Sequence, residues 1–231
     1  MRSYGQFCPV AKAAELFCER WTALIIRDLA AGASRFSELH RGVPLISPTL
    51  LARRLRQLVD EGVVERQRDE TGKTWRYRLS EAGQEFVPLV EALGVWGQRW
   101  TRRRLKEEEI DLGLAIWSLE RSVEAAAFRG PSSLVRLELT DQPAHKRLWW
   151  FLNEGERCTL CVDDPGHGVD LYLACTLPDL IYLLRGDLTL QRARGEERLE
   201  VIGEAEAEAA LAAWLNLGPL TEIASARNET V

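Results

Sequence analysis

The chain has 231 residues, 46% of them hydrophobic and 28% charged, enough for two modest domains with separate cores and unlike the composition of a disordered polypeptide. No apolar run approaches the roughly 18 residues of a membrane span, and the opening MRSYGQFCPV lacks a signal-peptide core, so a cytoplasmic protein without a membrane partner is expected. Five cysteines at scattered spacing, an odd count without an export signal, argue for reduced thiols and against a disulfide framework.

In chain order, residues 9–17 and 21–31 read as helices, the second carrying Leu24, Ile25, Ile26 and Leu29 before Gly32 stops it. Residues 35–42, RFSELHRG, fit a short third helix. Ser47 is a good N-cap and Pro48 suits a first helical position, so a fourth helix starts there and ends at Gly62. VVERQRDETGKTWRYRL then reads as two strands around a polar turn at residues 69–74, a basic hairpin. Ser80 caps a long helix with Phe86, Leu89, Val90, Leu93, Trp96 and Trp100 at helical spacing. The two tryptophans carry this stripe past what a small domain covers, so either a second copy of the chain or the chain's own second half buries them.

The break falls in RRRLKEEEID, residues 102–111, where basic residues give way to acidic ones. Residues 1–104 hold 18 Lys and Arg against 12 Asp and Glu, whereas the remainder holds 12 against 23. The net charge of −5 alone argues against a nucleic-acid partner, but this asymmetry points to a nucleic-acid-facing first part joined to something else. Beyond the break, residues 112–128 form an amphipathic helix ended by Gly130-Pro131. Strand-like runs at 134–140, 147–153, 157–163 and 169–175 follow, and their succession reads as an antiparallel sheet. PDLIYLLRG, DLTLQRAR, the strand RLEVIG and EAEAEAALAAWLNL close an α+β layer around a fifth strand.

On the fourth helix, Leu51, Leu55, Leu58 and Val59 share one face, while Thr49, Arg53, Arg56 and Gln57 fall opposite. A solvated charged face is the simplest reading of an isolated helix. A short helix before it and a basic hairpin after it describe instead a winged helix-turn-helix, whose second helix enters the major groove. There Arg can hold guanine bidentately, Gln can pair with adenine, and Ser or Thr near the helix start can bond a phosphate. Arg66, Arg68, Lys73, Arg76 and Arg78 of the hairpin are placed to follow the backbone, adding salt dependence without sequence information.

Residues 8 to about 97 resemble the HxlR-type winged helix-turn-helix regulators of bacteria. The likeness lies in the Cys-Pro start, the Arg-Trp-Thr of the second helix, Arg35-Phe36-Ser37-Glu38-Leu39, Ile46-Ser47-Pro48-Thr49-Leu50-Leu51 and YRLSEAG, all in order. The resemblance implies a homodimer joined by the terminal helices of the domain, with recognition helices in successive major grooves of double-stranded DNA. By the family's pattern Ser47, Thr49, Arg53 and neighbouring residues of the fourth helix face DNA, and with the helix-face and wing readings the candidate DNA-binding set is Arg35, Ser37, Ser47, Thr49, Arg53, Arg56, Gln57, Lys73 and Arg76. Phe17-Cys18-Glu19 departs from the pattern, which has glycines there, and implies an altered turn between helices. Cys8 stands where some members carry a thiol sensor; a thiol at a helix N-terminus meets the positive end of the dipole, and a small buried side chain is the alternative.

In the second half, VDLYLAC alternates strictly, turning Val169, Leu171, Leu173 and Cys175 to one side, toward a core or a cavity. Residues 112–217 resemble the sterol carrier protein type 2 domain in a strand followed by Thr176, the Asp179-Leu180 helix, Leu184-Arg185-Gly186-Asp187, and a strand ending at Gly203. That resemblance implies a five-stranded sheet, an apolar tunnel and a small apolar effector, with Trp117, Trp149, Phe151, Leu171, Leu173 and Tyr182 as candidate ligand-binding residues; packed core is the competing reading.

No phosphate loop, paired catalytic carboxylates or nucleophile elbow occurs, so neither an enzyme nor a cofactor is expected. Cys158 and Cys161, three apart on a strand, point to opposite faces and make a poor metal pair. The expected whole is a winged helix-turn-helix domain, mainly α with a β-hairpin wing, over 1–108, and an α+β domain with a five-stranded, mostly antiparallel sheet over 109–231. Its expected function is that of a sequence-specific, homodimeric repressor with an apolar-ligand effector domain. The alternatives are a thiol-redox regulator acting through Cys8, or a lipid carrier that binds no DNA.

Overall fold

A computed structural model describes residues 3–101 and 103–226; Arg102 of the charge switch and the outermost residues of both expected domains lie outside it. The first part of the chain folds as α1 (Pro9–Phe17), α2 (Thr22–Ala30), α3 (Phe36–Gly42), α4 (Pro48–Asp60), β1 (Val64–Arg68), β2 (Trp75–Leu79) and α5 (Glu81–Trp100). The chain divides into two units within α5, Met1–Gly94 and Val95–Val231.

Local chemistry sets most boundaries of the first unit. Ser47 Oγ accepts from the Leu50 N–H at 3.3 Å to start α4. Gly62, at φ +72°, ends it, and the Gly62 and Val63 amides bond back to the Val59 and Leu58 carbonyls, a Schellman closure. Between α1 and α2, just after the residues that depart from the family pattern, Trp21 stands at φ +81°, with the Arg20 guanidinium 4.5 Å over its ring. A left-handed tryptophan carries a cost of order 1–3 kcal/mol, which the surrounding packing holds in place. Ile25, Ile26, Leu39, Ile46, Leu51, Leu55 and Leu58 are buried at the centre, each contributing about 1.5–3 kcal/mol of transfer free energy. The hairpin pairs Val64 with Leu79 and Arg68 with Trp75, and the Asp69 carboxylate organises its turn by accepting from Thr71 Oγ1 and the Lys73 and Thr74 amides. At its base, a Cβ on Gly83 would run into the Val63 carbonyl, so α5 can leave the hairpin this closely only with glycine there.

The second unit comprises α6 (Leu112–Ser122), β3 (Ser132–Leu139), α7 (Ala144–Arg147), β4 (Leu148–Glu154), β5 (Arg157–Cys161), β6 (Leu171–Cys175), α8 (Leu177–Arg185), α9 (Leu190–Gly195), β7 (Leu199–Gly203) and α10 (Ala205–Leu215). Its five strands lie in the order β5-β4-β3-β6-β7. The sheet is mixed, which corrects the antiparallel reading of the strand succession: β3 and β6 run parallel, Val135 opposite Leu171, while the other three ladders are antiparallel. The cause lies in the 162–170 connection, which returns the chain to the start of β3, where β6 occupies the edge that β4 leaves open. The expected helix over 112–128 also ends early. Val123 turns extended, the Glu124 N–H donates to the Trp214 carbonyl at 2.8 Å, and a 3-10 turn at Ala125–Ala127 follows.

Leu171, Leu173 and Cys175 alternate into the core as expected, joined there by Val135, Leu137, Phe151, Leu180, Leu183 and Leu211. Trp214 is completely buried, edge-on to Phe151 at 5.6 Å, and its Nε1–H donates to Asn153 Oδ1 at 3.0 Å. The Asn153 amide in turn donates to Ser133 and to the Phe151 carbonyl, so this buried polar side chain is satisfied on both ends. Among the described residues no helix is long and apolar enough to cross a membrane.

Candidate nucleic-acid interface

Helix α4 buries Leu51, Leu55 and Leu58 and leaves Ser47, Thr49, Arg53 and Arg56 exposed. Among the described residues neither Arg53 nor Arg56 has an ion-pair or hydrogen-bond partner. Gln57 behaves differently from its expected adenine-reading role. Its Oε1 accepts from Arg54 Nη1 at 2.6 Å, while Arg54 Nη2 reaches Glu19 Oε2 at 2.6 Å. With Arg54 only 9% exposed, Gln57 serves an internal network that fastens α4 to the α1–α2 turn. Sequence reading missed Arg54 and Glu19 because the face opposite the leucines accounts for Arg53 and Arg56 but not for the arginine between them. An expected result follows for Glu19→Gln and Arg54→Met, alone and combined. Their costs in urea unfolding should be non-additive by about 1 kcal/mol or more, whereas additive costs would reduce the pair to an ordinary surface contact.

Arg35 and Ser37 stand exposed at the start of α3. Burial alone would raise the Glu38 carboxyl, but the Ser34 and Arg35 amides at 2.8 and 2.9 Å, with the Arg35 and Arg76 charges nearby, hold it below the ordinary carboxylate range. The wing joins the same surface. Arg76 Nη1 donates to Ser34 Oγ at 2.9 Å, and a bridge pairs Arg35 with Arg76. Lys73 is exposed in the turn, while Arg78 is neutralised by Glu65 at 2.6 Å. Trp75, within the second strand of the hairpin, takes part in contacts that strand patterning does not announce. Its ring lies 3.8 Å from the Arg66 guanidinium and 4.3 Å from that of Arg68, an arrangement foreshadowed by the cross-strand register of Arg68 with Trp75.

In the second unit, Phe151 and Leu171 are packed core, which corrects their expected place on a tunnel wall: Trp214 fills the space against Phe151. Trp117 lies under Arg121 at 4.8 Å, Trp149 Nε1 donates to the Lys146 carbonyl, and Tyr182 Oη accepts from the Leu105 N–H at 3.3 Å. Cavities of this unit include a groove of about 670 Å³ beside α10, a cleft of about 330 Å³ between α6 and α8, and a hollow of about 280 Å³ on the sheet; of the six expected ligand residues, Leu173 alone lines any of these.

Cys8 is the half-buried N-cap of α1, and Cys18 is exposed. Burial, then the charge of Glu120, pushes the Cys158 thiol up to about 12; burial, then Asp179 and Asp141, does the same for Cys175. Both stay protonated at neutral pH. Iodoacetamide at pH 8 is therefore expected to modify Cys18 well before Cys158 or Cys175 when labelling of the native chain is followed by mass spectrometry. Equal rates would contradict the burial seen here.

A helix pair with an exposed polar ridge on its second member, followed by a basic wing, defines a winged helix-turn-helix DNA-binding regulator. The chain belongs to the HxlR-like helix-turn-helix family, whose sequence profile matches residues 16–105. It is 35% identical over 98 residues to the HTH-type transcriptional regulator YvaP of Bacillus subtilis (strain 168), covering 42% of this chain and 91% of YvaP. It is 38% identical over 95 residues to the HTH-type transcriptional regulator Rv3095 of Mycobacterium tuberculosis (strain H37Rv), covering 41% of this chain and 60% of that relative. Among solved structures, the reduced form of YodB from B. subtilis shares 35% identity, with 40% of this chain and 93% of YodB covered and a TM-score of 0.36.

Proposed function

We propose that the chain acts as a homodimeric repressor. In this reading residues 1–108 bind operator DNA and dimerise, and residues 109–231 sense a small apolar effector and have no catalytic role. The observation that carries the DNA reading is the solvent-open ridge of Ser47, Thr49, Arg53 and Arg56, flanked by Arg35 and Ser37 of α3 and by Lys73 and Arg76 of the wing. Base edges are read by Arg53 and Arg56, while Ser47 at the N-terminus of α4 meets a phosphate. Self-association is supported by α5, where Trp96 and Trp100 remain 56% and 45% exposed beside exposed Leu89 and Leu93. Repression follows if the bound dimer occludes a promoter.

Duplexes retained by the purified chain from a random pool provide the test. Affinity for the selected duplex should fall with salt with a log–log slope of about −4 or steeper, as expected for four or more neutralised phosphates. A chain that retains no duplex would overturn the regulator reading in favour of the lipid-carrier alternative, which expects none.

A second reading keeps the DNA function and makes Cys8 the effector site. Its support is the half-buried thiol at the N-cap of the nine-residue helix α1. Loss of duplex binding on diamide treatment, prevented by Cys8→Ser, would select it.

A further inference from the structure

We propose that the cleft between α6 and α8 binds a small, mostly apolar molecule with a hydrogen-bond-donating amine or hydroxyl head, and that α5 senses its occupancy through the last turn of α8. The sensing half rests on the regulator reading above; the binding half does not.

The cleft exists because facing helices present short side chains at its centre. Asp111, Leu114, Ala115 and Ser118 follow one another along one face of α6, and Ile181, Leu184 and Arg185 along one face of α8. Ala115 and Ser118 leave the gap, and Leu105 of the connecting segment closes one side. Its volume of about 330 Å³ lies at the lower end of the range for small-molecule sites, which suits a body of one or two rings and excludes a long acyl chain.

The polar groups at the mouth select the head. Asp111 Oδ1 already accepts from the Leu114 N–H at 2.7 Å, leaving that carboxylate acceptor capacity for a further donor, whereas Glu109 is engaged on both oxygens, by the Lys106 N–H at 2.8 Å and by Arg103 Nη2 at 3.7 Å. Arg185 is engaged: its Nε lies 2.8 Å from Asp187 and its Nη2 donates to the Arg103 carbonyl at 3.1 Å. With the Arg185 guanidinium engaged, Glu109 paired with Arg103, and Asp111 the carboxylate of the lining that has no ion-pair partner among the described residues, an anionic head is disfavoured and a donor is welcomed.

The same turn of α8 grips the end of α5. Gln98 Nε2 donates to the Arg185 carbonyl at 2.8 Å and to the Leu220 carbonyl at 2.9 Å. Leu105 is tied to Tyr182 one turn earlier on α8. Gly186, at φ +73°, packs so close to Thr221 that no Cβ fits between them. A molecule held between Leu114 and Leu184 packs against the turn that Gln98 grips, so an arrangement of α5 that keeps this turn in place is favoured when the cleft is filled, biasing the helix on which the proposed dimer rests.

Fluorescence titration of the full chain with 1-aminonaphthalene tests the site. Saturable binding is expected. Ser118→Phe, and separately Leu114→Trp, should weaken it at least tenfold with the far-ultraviolet circular dichroism retained, while Ala209→Phe, in the groove beside α10, leaves it unchanged. The anionic analogue 1-naphthoate, with the same ring system and a carboxylate head, should bind at least tenfold more weakly than the amine. No saturable binding, equal binding by a folded Ser118→Phe or Leu114→Trp chain, or equal binding of the carboxylate would overturn the site. The sensing half predicts that the probe changes affinity for the selected duplex at least fivefold, and that Gln98→Ala removes this change without altering probe affinity. Unchanged duplex affinity overturns the sensing half alone. Probe binding by a chain that retains no duplex overturns the regulator reading and leaves the site standing.

Discussion

Arg53→Ala is expected to lower affinity for the selected operator duplex by about 1–3 kcal/mol, the discrimination carried by one bidentate base contact. The argument rests on position and on lack of competing partners. Arg53 projects from α4 opposite the buried Leu51, Leu55 and Leu58, and among the described residues nothing holds its guanidinium. Its removal should leave stability within about 0.5 kcal/mol of the parent, because no internal contact is lost. Specificity at the contacted base pair should relax while the salt slope changes by about one at most. Arg54, its neighbour, should behave in the opposite way, affecting stability through Glu19 and Gln57 first. A gel-shift titration in which Arg53→Ala binds as well as the parent would remove Arg53 from the proposed interface.

Trp214→Ala should destabilise the second unit by about 3–5 kcal/mol, the usual cost of emptying a large aromatic site in a core. That is a large fraction of the 5–15 kcal/mol that holds a typical domain together. Two effects act together. The indole packs against Phe151 and Phe128 with no solvent exposure, and its Nε1–H satisfies Asn153. Truncation leaves a cavity and also strips the buried Asn153 oxygen of its donor, which costs roughly 1–3 kcal/mol wherever water cannot replace it. Trp214→Phe separates the two, since it keeps most of the volume and loses only the hydrogen bond, and should cost markedly less. Urea unfolding monitored by circular dichroism measures both; a Trp214→Ala chain within 1 kcal/mol of the parent would mean that this core is loosely packed.

How far the residues disclosed the molecule depends on the range of the interactions concerned. The N-cap at Ser47, the left-handed stops at Gly32 and Gly62, the polar turn over 69–74 and the alternation in VDLYLAC each arise between residues a few positions apart, and all were legible. The exposed arginines of α4 were legible for the same reason, since helical periodicity alone turns Arg53 and Arg56 away from the leucines. Gln57 was not. Periodicity placed it on the open face, but its side chain bends toward Arg54, whose other partner, Glu19, lies 35 residues earlier. The early end of α6 escaped notice because its cause is the carbonyl of Trp214, far along the chain.

Amino-acid order was thus sufficient for most helical and strand elements, though not for α7 or the end of α6, and for the caps between them, the basic ridge and the family, because periodicity and capping are settled by near neighbours. Folding in three dimensions settled the rest: that β6 lies parallel to β3, that Phe151 and Leu171 are solid core, and that the open cleft lies between α6 and α8. Those outcomes depend on which distant surfaces meet and how completely their side chains fill the shared space, quantities to which no local pattern is sensitive.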